Sequence, residues 1–79
     1  MRRHGWAGNT PASDEEAINR ILDAVDLLAA QHGPSIAVAE VARSLGVSRQ
    51  TVYRYFPGSE AMLAASRMRS ADGFLERLS

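Results

Sequence analysis

Apolar residues along this chain fall into short stripes with a helical period. Ile18, Ile21, Leu22, Val25, Leu28 and Ala29 recur at three- and four-residue steps, which places them on one face of a helix. Ser13 to Glu16, "SDEE", supplies its start as a capping box. The Ser13 hydroxyl is expected to accept from the Glu16 amide while Glu16 reaches back, and Asp14 and Glu15 suit the positive end of the helix dipole. "HGP", His32 to Pro34, supplies its stop. A second, shorter stripe of Val38, Val41, Ala42 and Leu45 ends at Gly46, whose missing Cβ allows the left-handed backbone of a tight helix exit. Ser48 then has the type and place of an N-cap, with Val47 before it and Val52 inside the next helix as a hydrophobic staple.

These elements predict an all-α fold, a small helical bundle. Two helices that meet across a short turn containing Gly form a helix-turn-helix. The expected architecture is a homeodomain-like three-helix core plus a fourth helix from "SEAMLAASRMRS", in which Met62 and Met68, with Leu63 and Ala65, are expected to pack in the core. Residues 1–12 carry Gly5, Gly8, Asn9, Thr10 and Pro11 without periodicity and are expected to be a flexible arm. Residues 13–71 form the helical domain. Residues 72–79 hold Phe74, Leu75 and Leu78 at helical spacing, which suggests the start of a further amphipathic helix.

The size and charge of the chain narrow the function. A chain of 79 residues is one small domain with little room for an enclosed active site. It has no cysteine, which excludes disulfides and thiolate metal sites and permits a reducing cytoplasm. No apolar run is long enough to span a membrane, and no leader pattern follows the first arginines. A soluble cytoplasmic protein is therefore expected. The net charge is zero, yet the charges are segregated: Asp14 to Glu40 holds six acids against Arg20 alone, whereas Arg43, Arg49 and Arg54 meet no acid before Glu60.

The wheel of the helix after Ser48 gives that segregation a use. At about 100° per residue, Val52 and Phe56 share a face toward the core, while Gln50 and Arg54 fall together on the opposite side, flanked by Thr51 and Tyr53. A bidentate amide and a guanidinium edged by hydroxyls are groups that read base edges in a major groove and hold phosphates on its walls. Free backbone amides at the helix start favour a phosphate as well.

"ILDAVDLLAAQHG" and "VAEVARSLGVSRQTVYRYFPGSEAML" together resemble the N-terminal DNA-binding domain of TetR-family transcriptional regulators, from about Ile18 to Leu63. The most specific part is "GVSRQTVYRYF". The resemblance implies that the third helix enters the major groove of a palindromic double-stranded operator. Position by position, it implies that Arg49, Gln50 and Arg54 read bases and that Ser48, Thr51, Tyr53 and Tyr55 contact phosphate. It also implies a larger helical domain, absent from this chain, that binds a small-molecule effector and makes a homodimer; the present chain alone is expected to be a monomer. Residues 72–79 would lead toward that domain, and the regulator would be a repressor released by its effector. Three positions depart from the pattern. Ala37 stands where Thr or Ser usually caps the second helix, so that cap is expected from Ser35, from water or not at all. Ser59 stands where a lysine commonly contacts phosphate, and Gln50 replaces a frequent small residue.

Other residues invite functional readings beside plainer ones. Arg2 and Arg3 could form an arm that enters a minor groove or remain a solvated tail. Trp6 could pack on the bundle, or dock on DNA or on the absent domain. Arg43 could pair with Glu40 or touch phosphate. His32 reads as a helix-end residue and His4 as a tail residue, so no metal and no cofactor are expected. No nucleophile set, phosphate-binding glycine loop or paired-histidine spacing points to an enzyme. The rival class is a small helical protein-interaction module that uses the "TVYRYF" face, since Tyr and Arg also favour protein hot spots.

Overall fold

The computed structural model describes residues 6–8, 10–33 and 35–78, with side chains from 72 onward and that of Ala7 outside the description. A 3-10 turn, Trp6–Gly8, precedes four helices: α1, Asp14–His32; α2, Val38–Leu45; α3, Arg49–Tyr53; and α4, Ser59–Leu78. The described residues contain no strand. The expected all-α bundle with a helix-turn-helix is what forms.

Each boundary has a local cause. Ser13 caps α1 by accepting from the Glu16 amide at 3.1 Å. The return arm of the box lands one residue early, because the Glu16 carboxylate accepts from the Ala12 amide at 2.9 Å, not from Ser13. Arg20, one turn on, takes the other carboxylate oxygen at 2.5 Å. Both donors favour the charged form and hold the Glu16 carboxyl below its ordinary value, with the Ala12 amide the larger cause. At the far end Gly33 adopts φ 91° and its amide returns to the Ala29 carbonyl at 2.8 Å.

The α2 exit sets the angle of the helix-turn-helix. Gly46 is left-handed, with φ 73° and ψ 31°. The Val47 amide reaches the Ala42 carbonyl at 2.9 Å and the Gly46 amide reaches Arg43 at 3.2 Å, the paired bonds of a Schellman motif. A side chain at Gly46 would face the steric penalty of that region. At the α2 entry no side chain caps the helix, the last of the three expectations. Ala37 has no side-chain oxygen, and its own amide donates to the Glu40 carboxylate at 3.0 Å, so an acid inside the helix supplies half of a capping box.

The core lies where α1, α2, α3 and the first turns of α4 converge. Ile21, Val41, Val52 and Met62 have no exposed surface, and Leu22, Val25, Ala42 and Phe56 close around them. Ile36, in the α1–α2 connection, is buried as well. Ile18, Leu28, Ala29 and Leu45 sit at the border, packed against this cluster, as do Leu63 and Ala65.

Met68 corrects the core expectation, since it is 69% exposed. Six residues beyond Met62 it lies about 120° around the helix, whereas Ser66 and Arg69 return to Met62's side. There the α1–α4 contact turns polar. The Ser66 hydroxyl donates to Asp26, and Arg69 bridges Asp26 at 2.6 Å and Asp23 at 3.0 Å while its guanidinium reaches the Asn19 carbonyl at 3.3 Å. The expected break between a fourth helix and a further one is also absent, because α4 is continuous from Ser59 to Leu78. Gly73 costs a helix about 1 kcal/mol and no proline interrupts it, so nothing local forces an end.

Candidate nucleic-acid interface

The site is built on α3, which is short but well anchored. Ser48 caps it, accepting from the Thr51 amide at 3.2 Å, and the two hydroxyl oxygens lie 3.1 Å apart. Helical hydrogen bonds continue past Tyr53: the Arg54 amide bonds Gln50 at 3.1 Å and the Phe56 amide bonds Val52 at 2.9 Å. The wheel therefore holds from Arg49 to Phe56. Val52 and Phe56 face the core, and their burial fixes the rotation of everything opposite them.

The opposite face is open. Ser48, Arg49, Gln50, Tyr53 and Arg54 are exposed, and Thr51 is half-buried beneath them. Tyr53 is half exposed, a large aromatic left at the surface. Among the described residues no carboxylate lies within ion-pairing distance of Arg43, Arg49 or Arg54. Glu40, the sequence neighbour that could have held Arg43, is occupied at the α2 entry. Helix 1, by contrast, joins several of its acids to arginines of its own side, Glu16 to Arg20 and Asp23 and Asp26 to Arg69. Three of the α1 acids are thus paired with arginines other than those of α3.

Tyr55 is placed differently from its neighbours. It is half-buried and packs against the core, and its hydroxyl donates to the Asp14 carboxylate at 3.5 Å. Asp14, Ser48, Thr51, Arg54 and Tyr55 line one open groove of about 550 Å³ between the N-terminal segment and the turn before α3, with Trp6, Pro11 and Val47 as apolar walls. Trp6 packs against the bundle, in the plainer of its two readings, with a left-handed φ of 68°. Nothing local in the sequence signals the Asp14 contact, because 41 positions separate its partners. Arg2 and Arg3 lie outside the described residues, and so do the side chains of Phe74, Leu75 and Leu78.

The described residues offer no group of acids, histidines or cysteines that could hold a metal ion. No helix among them is long and apolar enough to cross a membrane. A bundle whose Gly-turned helix pair carries an open, unpaired arginine face defines a helix-turn-helix domain of the nucleic-acid-binding class. The family model of bacterial regulatory proteins of the tetR family matches residues 21–66, more than half of the chain, and the protein belongs to that family. The chain is 48% identical over 52 residues to two uncharacterized HTH-type transcriptional regulators of Mycobacterium tuberculosis. They are MT1294 of strain CDC 1551 / Oshkosh and Rv1255c of strain H37Rv, and the match takes in 65% of this chain. The chain spans about a quarter of the length of these curated relatives, 26% in each. No solved structure gives a significant match.

Proposed function

We propose that this chain is the operator-reading domain of a transcriptional regulator and binds double-stranded DNA with α3 in the major groove. Gln50 and Arg54, with Arg49 at the helix start, read base edges: the amide suits adenine and the guanidinium suits guanine. Ser48, Thr51 and Tyr53 hold the sugar-phosphate backbone on the groove walls, joined by Tyr55 from the border of the core. Helix α1 serves as scaffold behind them. The observation that carries this is the outward face of α3, where two arginines, a glutamine and a tyrosine stand exposed without an acid partner on a tetR-family helix-turn-helix.

In the complete regulator two such domains would read a palindromic operator as a homodimer, and a small-molecule effector would release a repressor from it. Its place of work would be the cytoplasm, where the DNA lies. The test is selection of bound sequences from a random-duplex pool at low and moderate salt. Enrichment of one half-site motif, lost as salt rises, is the expected result. Absence of binding at low salt would overturn the proposal and assign the α3 face to a protein partner.

A further inference from the structure

Asp14 occupies an unexpected place for an acid. It is the one carboxylate among the described residues that line the groove formed by Ser48, Thr51, Arg54 and Tyr55. Glu15, its neighbour, lines a different shallow surface with Glu16, Asn19 and Asp23. The position of Asp14 in the first turn of α1 gives it a folding role, since an acid there complements the helix dipole. Across the groove its carboxylate takes the Tyr55 hydroxyl, at a length that orients the hydroxyl more than it binds it.

We infer that Asp14 lowers the DNA affinity of this domain: its carboxylate, facing the Tyr55 hydroxyl across the groove, opposes the approach of a phosphate to that hydroxyl. The inference rests on the DNA-binding reading given above. An approaching phosphodiester offers the Tyr55 hydroxyl a shorter, charge-assisted bond and can take it from Asp14. Asp14 is then left as an unpaired negative charge beside another, which lowers affinity for every sequence alike because phosphates carry no sequence information. The same residue that favours the start of α1 thus weakens binding, against the attraction of Arg54 on the same groove.

The experiment is fluorescence anisotropy of a labelled mixed-sequence duplex, titrated with the wild-type chain, Asp14→Asn, Glu15→Gln, Tyr55→Phe and the Asp14→Asn/Tyr55→Phe pair at low and physiological salt. Asp14→Asn is expected to tighten binding about two- to fivefold at low salt, with the gap narrowing as salt screens the charge. Glu15→Gln removes the same charge one residue away, outside the groove, and is expected to give less than half of that gain. In the Tyr55→Phe background the gain from Asp14→Asn is expected to shrink. Melting by circular dichroism accompanies each titration, and Asp14→Ser, which keeps a small polar residue in the first turn, carries the same expectation should the Asn variant fray α1. Unchanged or weaker binding by a variant that melts like the wild type would overturn the inference, as would an equal gain from Glu15→Gln. A wild-type chain that binds no duplex at low salt would instead remove the DNA reading itself, and the role of Asp14 with it.

Discussion

Gln50 and Tyr53 lie three positions apart on α3, both exposed, and the proposed DNA binding gives them different tasks. An amide can offer a donor and an acceptor together to adenine, whereas a phenol hydroxyl meets a phosphate oxygen that is the same in every sequence. Gln50→Ala is therefore expected to relax base choice at one operator position and to cost about 1–3 kcal/mol there, while Tyr53→Phe weakens all duplexes alike. Binding of each variant to a selected half-site and to its single-base substitutions measures the difference. Equal, sequence-blind losses from both changes would take Gln50 out of the reader role. The partition of α3 was legible in the sequence because Val52 and Phe56 fix the core side and the rest follows by rotation. The bond from Tyr55 to Asp14 was not, since it depends on how α1 and α3 are juxtaposed and no periodicity encodes that.

At the scale of elements, caps decided what could be read. Ser13, Gly46 and Ser48 announce helix ends by their side-chain chemistry or backbone freedom, and each performs that task in the structure. Ile36 and the polar clasp of Ser66 and Arg69 on Asp26 carry no such signal. The first is a single apolar residue in a connection, and the second becomes visible only when α4 is laid across α1. Met68 departs from the expected core because α4 stops packing on apolar surface before it, where Ser66 and Arg69 meet Asp26.

The α1 start makes a pH prediction. The Glu16 carboxyl is held below its ordinary value of 4.5 by the Ala12 amide and then by Arg20. A group whose pKa is depressed by folding adds stability that is present above the unfolded value and is lost as pH falls through the folded one. Thermal melts between neutral pH and pH ~3 are expected to show this loss in the wild type and a flatter acid limb in Glu16→Gln. The effect is small, because Glu16 lies at the surface and water screens it. An acid limb unchanged by Glu16→Gln would mean that the Ala12 and Arg20 contacts do not persist in solution.

The whole molecule combines a neutral total with a divided surface, and this governs how it meets partners. Arg49 and Arg54 stand exposed on α3 without acid partners, while Glu16, Asp23 and Asp26 of α1 are tied to Arg20 and Arg69, so a polyanion approaching α3 meets a positive face despite the zero sum. Association with a second copy finds less to work with. The large apolar residues exposed among the described side chains are Leu27, Tyr53 and Met68, one on each of α1, α3 and α4. A standard interface hides about 800 Å² on each partner, which would be about a seventh of the 5611 Å² this chain exposes. Among the described side chains, three scattered ones do not supply that. Sedimentation velocity is accordingly expected to give a species of 8.6 kDa, the monomer, at micromolar concentration. On the proposed function, with one reading helix per molecule, the two halves of a palindromic duplex are expected to fill independently, each as weakly as an isolated half-site, because no linkage between copies raises the effective concentration of the second. A tight dimer in sedimentation, or cooperative filling of the palindrome, would place a self-association surface on this domain and contradict the proposal that α3 reads while pairing belongs to the rest of the regulator.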